Sequence, residues 1–240
     1  MFFFFLEFYK LISATQLKAN KSLGIAIALL FFGISCLYSI GYVTINFFWI
    51  VAPVISSVFI AELYRKHDFP FQNIAITIFG ILYVAVPLCL LLLIGFPEKS
   101  TLGYQPKLIL GFFFLLWSND TGAYLTGISL GKHPMFARIS PKKSWEGFTG
   151  GLIFTQVVAI IISNFFVQLP MIDWIIIAAI ICIFGVWGDL IESMLKRSLQ
   201  IKDSGNILPG HGGILDRFDS VIFSAPIVFV YLQLKNLMLF

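Results

Sequence analysis

Apolar residues fall in blocks of about 20, the length an α-helix needs to cross a bilayer. Polar residues collect in the short stretches between them. The pattern predicts seven spans, at roughly 23–39, 43–61, 72–96, 108–130, 147–168, 171–195 and 215–236. Gly41 separates the first two with almost no loop. The opening MFFFFLEFYK is apolar but short, and Glu7 interrupts it. It lacks the basic start and small-residue cleavage site of a signal peptide. It predicts an interfacial helix with Lys10, Lys18 and Lys21 near the lipid headgroups. The expected organisation is an N-terminal interfacial segment (1–22), N-terminal membrane helices (23–100) and a region of spans and polar loops that carries the candidate chemistry (101–240). The fold class is an all-α polytopic transmembrane helical bundle. Two connecting loops are long, roughly 131–146 and 196–214.

Composition agrees with the pattern. Of 240 residues, 59% are hydrophobic, 12% are charged and 27 are Phe. A soluble core of this size could not bury so much apolar surface. Basic residues set the orientation. With the N-terminus in the cytoplasm, the cytoplasmic segments hold Lys10, Lys18, Lys21, Arg65, Lys66, Lys132, Arg138, Lys142, Lys143, Lys196, Arg197, Lys202 and Arg217, which is 13 of the 16 Lys and Arg. Only Lys99, Lys107 and Lys235 face the other side. The net charge of +4 therefore reflects topology and anionic headgroups, and nucleic acid is not an expected partner. A short, all-membrane chain fits a bacterial inner membrane, with the polar loops cytoplasmic. Cys36, Cys89 and Cys182 lie inside predicted spans without metal spacing, as packing residues do.

Acids inside a span are costly and call for a partner or a function. In GVWGDLIESMLKRS, Asp189, Glu192, Ser193, Lys196 and Arg197 fall at i, i+3, i+4, i+7 and i+8, one polar stripe on one helical face. Acids lie deep in it and cations shallow. That order suits a metal-bound phosphate ligand entering from the cytoplasm, and equally an internal salt-bridge ladder or an ion path. The next stretch, DSGNILPGHGG (203–213), includes Gly212 and Gly213 and cannot form a regular helix. It can wrap backbone N–H groups around an anion. The helix that follows would point its N-terminus at the cytoplasm. Asp216 and Asp219 lie three apart there, as helix caps or, beside Arg217 and a His-bearing glycine loop, as a divalent-metal and phosphate site. Oxygen ligands of this kind suit Mg²⁺. Upstream, WSNDTGAYLTGISLGKH places Asp120 and Tyr124 on one face with Gly127 and Gly131, where small residues allow close helix packing. In ISPKKSWEG, Lys142 and Lys143 supply paired cations, and Ser144 can cap the following helix near Gly147.

At these residues the chain resembles the phosphatidate cytidylyltransferase (CDP-diacylglycerol synthase) family. The C-terminal motif of that family is matched at Ser193, Leu195, Lys196, Arg197, Lys202, Asp203, Gly205, Leu208, Pro209, His211, Gly212, Gly213, Ile214, Asp216, Arg217, Phe218 and Asp219. WSNDTGAY, SPKKSWEG and GDLIES also resemble family segments, so the likeness is close over residues 117–223. The resemblance implies transfer of a cytidylyl group from CTP to phosphatidate, releasing pyrophosphate, with Mg²⁺ as cofactor held by Asp189 and Asp216. It implies phosphate contacts from Lys196, Arg197, Lys202, His211 and Arg217, with Asp219 as a further ligand or a support. Lys142 and Lys143 fit the mouth of the site, where they would attract CTP or phosphatidate. Asp120, Ser193, Gly212 and Gly213 are further substrate-binding candidates. His211 has a second reading, holding the glycine loop by a hydrogen bond. Expected partners are CTP, phosphatidate and membrane lipid, with a homodimer left open.

Two other classes compete. A cation- or proton-coupled transporter would use Asp120, Asp189 and Glu192 as a relay spread through the membrane depth. A kinase acting on a lipid alcohol would need a base, for which His211 is the one plausible histidine.

Overall fold

A computed structural model describes residues 1–13, 15–96, 103–201, 204–205 and 213–238. Among them, seven helices are long and apolar enough to cross a membrane. The first is α2 (Lys21–Ser39), entered through Asn20, whose side chain accepts from the Leu23 amide at 3.3 Å. A 3-10 turn (Ile45–Ile50) and α3 (Val51–Arg65) form the second. The third runs through α4 (Pro70–Gly80), a π turn (Ile81–Ala85) and α5 (Val86–Ile94). Pro87 explains the π turn: it lacks an N–H and its ring would strike the carbonyl four residues back, so the helix widens just before it. Then come α6 (Pro106–Leu130), α7 (Trp145–Ser163), α8 (Met171–Ser198) and α9 (Leu215–Met238). The seven spans match the apolar blocks, including the break at Gly41, which takes a left-handed φ of 82°.

Three features depart from expectation. The segment after α6 is not irregular: β1 (Pro134–Phe136) and β2 (Ser140–Ser144) pair antiparallel and lead directly into α7. Ser144 caps α7 as expected, accepting from the Gly147 amide at 3.1 Å. Glu146 holds the hairpin base by accepting the amides of Lys132 and His133 at 3.1 and 3.2 Å. The second departure is the face α6 turns to α7. Contact runs through Asn119, Gly122, Ala123 and Thr126, against Gly147, Gly150 and Gly151; a Cβ on Gly151 would stand 2.8 Å from Asn119 Oδ1. Gly127 packs on Gly147 within this seam and Gly131 meets Ser144 at its end, as expected of small residues, but Asp120 and Tyr124 are exposed and stand outside it.

The third departure is α1 (Phe2–Ile12). Lys10, Lys18 and Lys21 stay exposed, as do Phe2, Phe3 and Leu6, but one face of α1 packs into the protein. Phe5, Phe8 and Tyr9 are buried in one cluster with residues of α2, the π turn, α5 and α9. The Tyr9 hydroxyl donates to the Thr77 carbonyl at 3.1 Å. A second cluster, centred on Trp174, joins α6, α7, α8 and α9. Because α9 lines both, its N-terminus is fixed from two sides. Far from that end, Asp173 of α8 takes hydrogen bonds from Tyr231 and Lys235 of α9.

Candidate active site

The polar stripe of α8 faces α9 and β2, and it divides into two groups. In the deeper group, Lys143 of β2 forms an ion pair with Asp189 Oδ2, and Ser193 Oγ lies 3.3 Å from Asp189 Oδ1. Asp120 and Asp219 stand near enough to interact electrostatically with both Lys143 and Asp189. Glycines create this proximity. Gly188 of α8 has no room for a Cβ against the Asp219 carbonyl, and Gly185 faces Ser220, so α9 closes on α8 beside Asp189.

One helical turn along, Lys196 Nζ lies 2.6 Å from Glu192 Oε2 and 2.7 Å from Asp216 Oδ1. Glu192 is fully buried, and the Lys196 ammonium is its counter-charge. The other oxygen of Asp216 accepts the Gly213 amide at 3.0 Å and the Ser204 amide at 3.1 Å. Asp216 thus joins the two described ends of the glycine-rich loop and fastens them to α8. Tyr83, from the π turn, lies within electrostatic reach of Glu192 and Asp219; its buried hydroxyl has no hydrogen-bond partner among the described residues.

The sequence-predicted residues are therefore brought together unevenly. Lys143, Asp189, Ser193, Lys196, Gly213, Asp216 and Asp219 lie in or beside the two groups, with Asp120 at the margin. Lys142 and Arg217 are exposed, and the Arg197 guanidinium sits 3.4 Å from the Ile201 carbonyl, closing the end of α8. Lys202, Asp203, His211 and Gly212 fall outside the described residues. Asp216 and Asp219, expected to act together, belong to different groups.

The glycine loop was expected to offer its amides to a bound anion. At its described ends those amides already serve carboxylates of the chain. Gly213 and Ser204 donate to Asp216. The Ile214 and Leu215 amides, at the N-terminus of α9, donate to Glu7 Oε2 at 2.7 and 3.1 Å. Ser204 Oγ donates to Glu7 Oε1 at 2.6 Å. Glu7 was legible only as a polar interruption in an apolar segment.

Among the described residues no three His, Cys, Asp or Glu side chains form a metal cage. A hard cation shared with substrate phosphates needs only one or two carboxylates. Asp189 suits that role: each oxygen has one polar neighbour and keeps lone-pair capacity, as does Oδ1 of Asp216. Oδ2 of Asp216, with two amides, is full.

The profile of the cytidylyltransferase family matches residues 1–235. A phosphatidate cytidylyltransferase of Staphylococcus haemolyticus is 42% identical over 170 residues, covering 70% of this chain and 62% of that protein. One from Bacillus subtilis is 50% identical over 122 residues, 50% of this chain and 45% of its own length. One from Staphylococcus aureus is 41% identical over 169 residues, with coverages of 70% and 62%. The chain thus spans less than two thirds of the length of these curated relatives. With a profile match across almost all of its length and two clustered ion-pair groups on the segments that carry the C-terminal motif, the chain belongs to the cytidylyltransferase family.

Proposed function

We propose that this protein is a phosphatidate cytidylyltransferase of a bacterial inner membrane, with its site open to the cytoplasm and Mg²⁺ as cofactor. The observation that carries the reading is the convergence of Lys143, Asp189, Lys196 and Asp216 where α8, α9 and the hairpin meet. The names of the similar proteins supply the choice of CTP and phosphatidate.

The chemistry fits these side chains. An oxygen of the phosphatidate monoester attacks the α-phosphorus of CTP. The new P–O bond forms as the α–β bridge breaks, and pyrophosphate leaves with the electron pair. The nucleophile is already an anion, so no base has to create it. The protein must bring two polyanions together and stabilise charge on the leaving group. Lys143 and Lys196 are held in place by carboxylates before substrate arrives, so their charges need little reorganisation when phosphates replace those partners. Asp189 and Asp216 would hold Mg²⁺, which when bound neutralises phosphate charge. Lys202 and His211 complete the proposed phosphate contacts, and Lys142 at the exposed edge attracts the nucleotide.

Acids gathered beside Lys143 and Lys196 in one cluster favour this reading over a relay spread through the membrane depth. The reading also dispenses with the base that a lipid kinase needs. Protein reconstituted in phosphatidate-containing vesicles tests it. Pyrophosphate release should require CTP, phosphatidate and Mg²⁺ together, and should stop on chelation. Release without phosphatidate would refute the proposal.

A further inference from the structure

Glu7 is a charged side chain at 1% exposure, on a helix that the chemistry above does not use. An isolated buried carboxylate would cost several kcal/mol. Here it is satisfied: it accepts from Ser204 Oγ, the Ile214 amide and the Leu215 amide. These donors lie on both sides of the 205–213 segment. Gly205 and Gly213 form the walls of the carboxylate's seat; a Cβ on Gly205 would strike Glu7, and one on Gly213 would strike both Glu7 and Ser204. Asp216 bridges the same two strands of chain from the other side, through the Ser204 and Gly213 amides, while its second oxygen holds Lys196. The neck of the loop is thus closed twice, once by α1 and once by α9.

We infer that Glu7 is a positioning residue of the active site: it pins the neck of the glycine loop, and through it Asp216 and Lys196, in register with the reacting phosphates. In its activity arm this rests on the proposed transfer reaction. Glu7 is too far inside to meet substrate. Its carboxylate also takes the place at the start of α9 where an external phosphate would otherwise sit, so the phosphates are left to the lysines. The N-terminal helix becomes part of the catalytic apparatus.

Glu7→Gln keeps the size of the side chain and can still pair with Ser204, whose hydroxyl turns to accept, but it removes the negative charge and leaves the Ile214 and Leu215 amides a weaker, neutral acceptor. Tyr9→Phe is the control, since it loosens α1 at Thr77 without touching the neck. Two readouts are compared in the full-length protein: kcat and KM per folded molecule, and hydrogen exchange at residues 213–215. Glu7→Gln should lower kcat by roughly tenfold or more, change the KM for CTP less than about threefold, and speed exchange at 213–215. Tyr9→Phe should leave all three near wild type, even if it melts earlier. Wild-type kcat in Glu7→Gln, or an equal kcat loss in Tyr9→Phe, overturns the inference. A wild-type protein without transfer activity would refute the proposed function. The exchange data then decide alone, and unchanged exchange in Glu7→Gln overturns the clamp.

Discussion

Asp216→Asn separates the two things Asp216 does. Its carboxylate takes Lys196 at 2.7 Å on one oxygen and the Gly213 and Ser204 amides at 3.0 and 3.1 Å on the other. Asparagine has the same shape but one oxygen and one NH₂, so one set of donors must face another donor. The cheaper loss is on the lysine side, because Lys196 keeps Glu192 at 2.6 Å. The asparagine oxygen therefore turns to the two amides and the loop neck holds. One hydrogen bond to a charged group contributes about 1.5–3 kcal/mol, so folding stability should fall by about 2 kcal/mol. The effect on turnover should be larger. On the proposed reading, in which Asp216 orients Lys196 and would hold Mg²⁺ at the reacting phosphates, the carboxylate would supply roughly 3 kcal/mol of transition-state stabilisation, so kcat should drop at least about a hundredfold. Steady-state kinetics on the reconstituted variant, with thermal unfolding alongside, measure both. Near-normal kcat with unchanged Mg²⁺ dependence would refute the role given to Asp216. A kcat loss that merely tracks unfolded protein would refute the separation.

Lys143→Ala removes the cation among Asp120, Asp189 and Asp219, leaving acids that repel incoming nucleotide. The KM for CTP should rise roughly tenfold with a smaller fall in kcat, whereas Asp189→Asn should mainly lower kcat; a kcat collapse in Lys143→Ala at constant KM would contradict this. For orientation, Ala137→Cys in the hairpin should react with an impermeant thiol reagent only in opened cells and Val167→Cys, in the α7–α8 connection, in intact ones; the reverse pattern would invert the topology.

What the sequence made legible, and what it hid, follows from the range of the interactions. The spans are local: each is an apolar run, and Ser144 marks where α7 starts. The α8 stripe is also local, because i, i+4 geometry puts Glu192 beside Lys196 in any helix. Nothing local reveals Glu7, whose donors Ser204, Ile214 and Leu215 lie 197 to 208 residues away. Its signal was a lone acid in a run of Phe, which an interfacial helix explains equally well. The α6–α7 seam was legible at Gly127 but not over its full width, for a related reason. Small and polar residues surround α6 on several faces, and the glycines of α7 decide which face is used. The loop amides were visible as potential anion donors, but pattern cannot say whether the anion belongs to substrate or to the chain itself. Lys143 shows the same limit: its cationic character was plain, while its pairing with Asp189 depends on a hairpin that periodicity in a 16-residue loop could not foretell.

The proposed reaction makes one bond change, at the α-phosphorus of CTP. Purified protein should be given phosphatidate, Mg²⁺ and CTP labelled either at the α- or at the γ-phosphate, and the organic-extractable lipid counted. The α-label should enter the lipid in step with pyrophosphate release, and the γ-label should stay in water. Appearance of the γ-label in lipid would mean phosphoryl transfer by a kinase, and no label in lipid from either position would mean that this cluster of lysines and aspartates does not carry out the reaction.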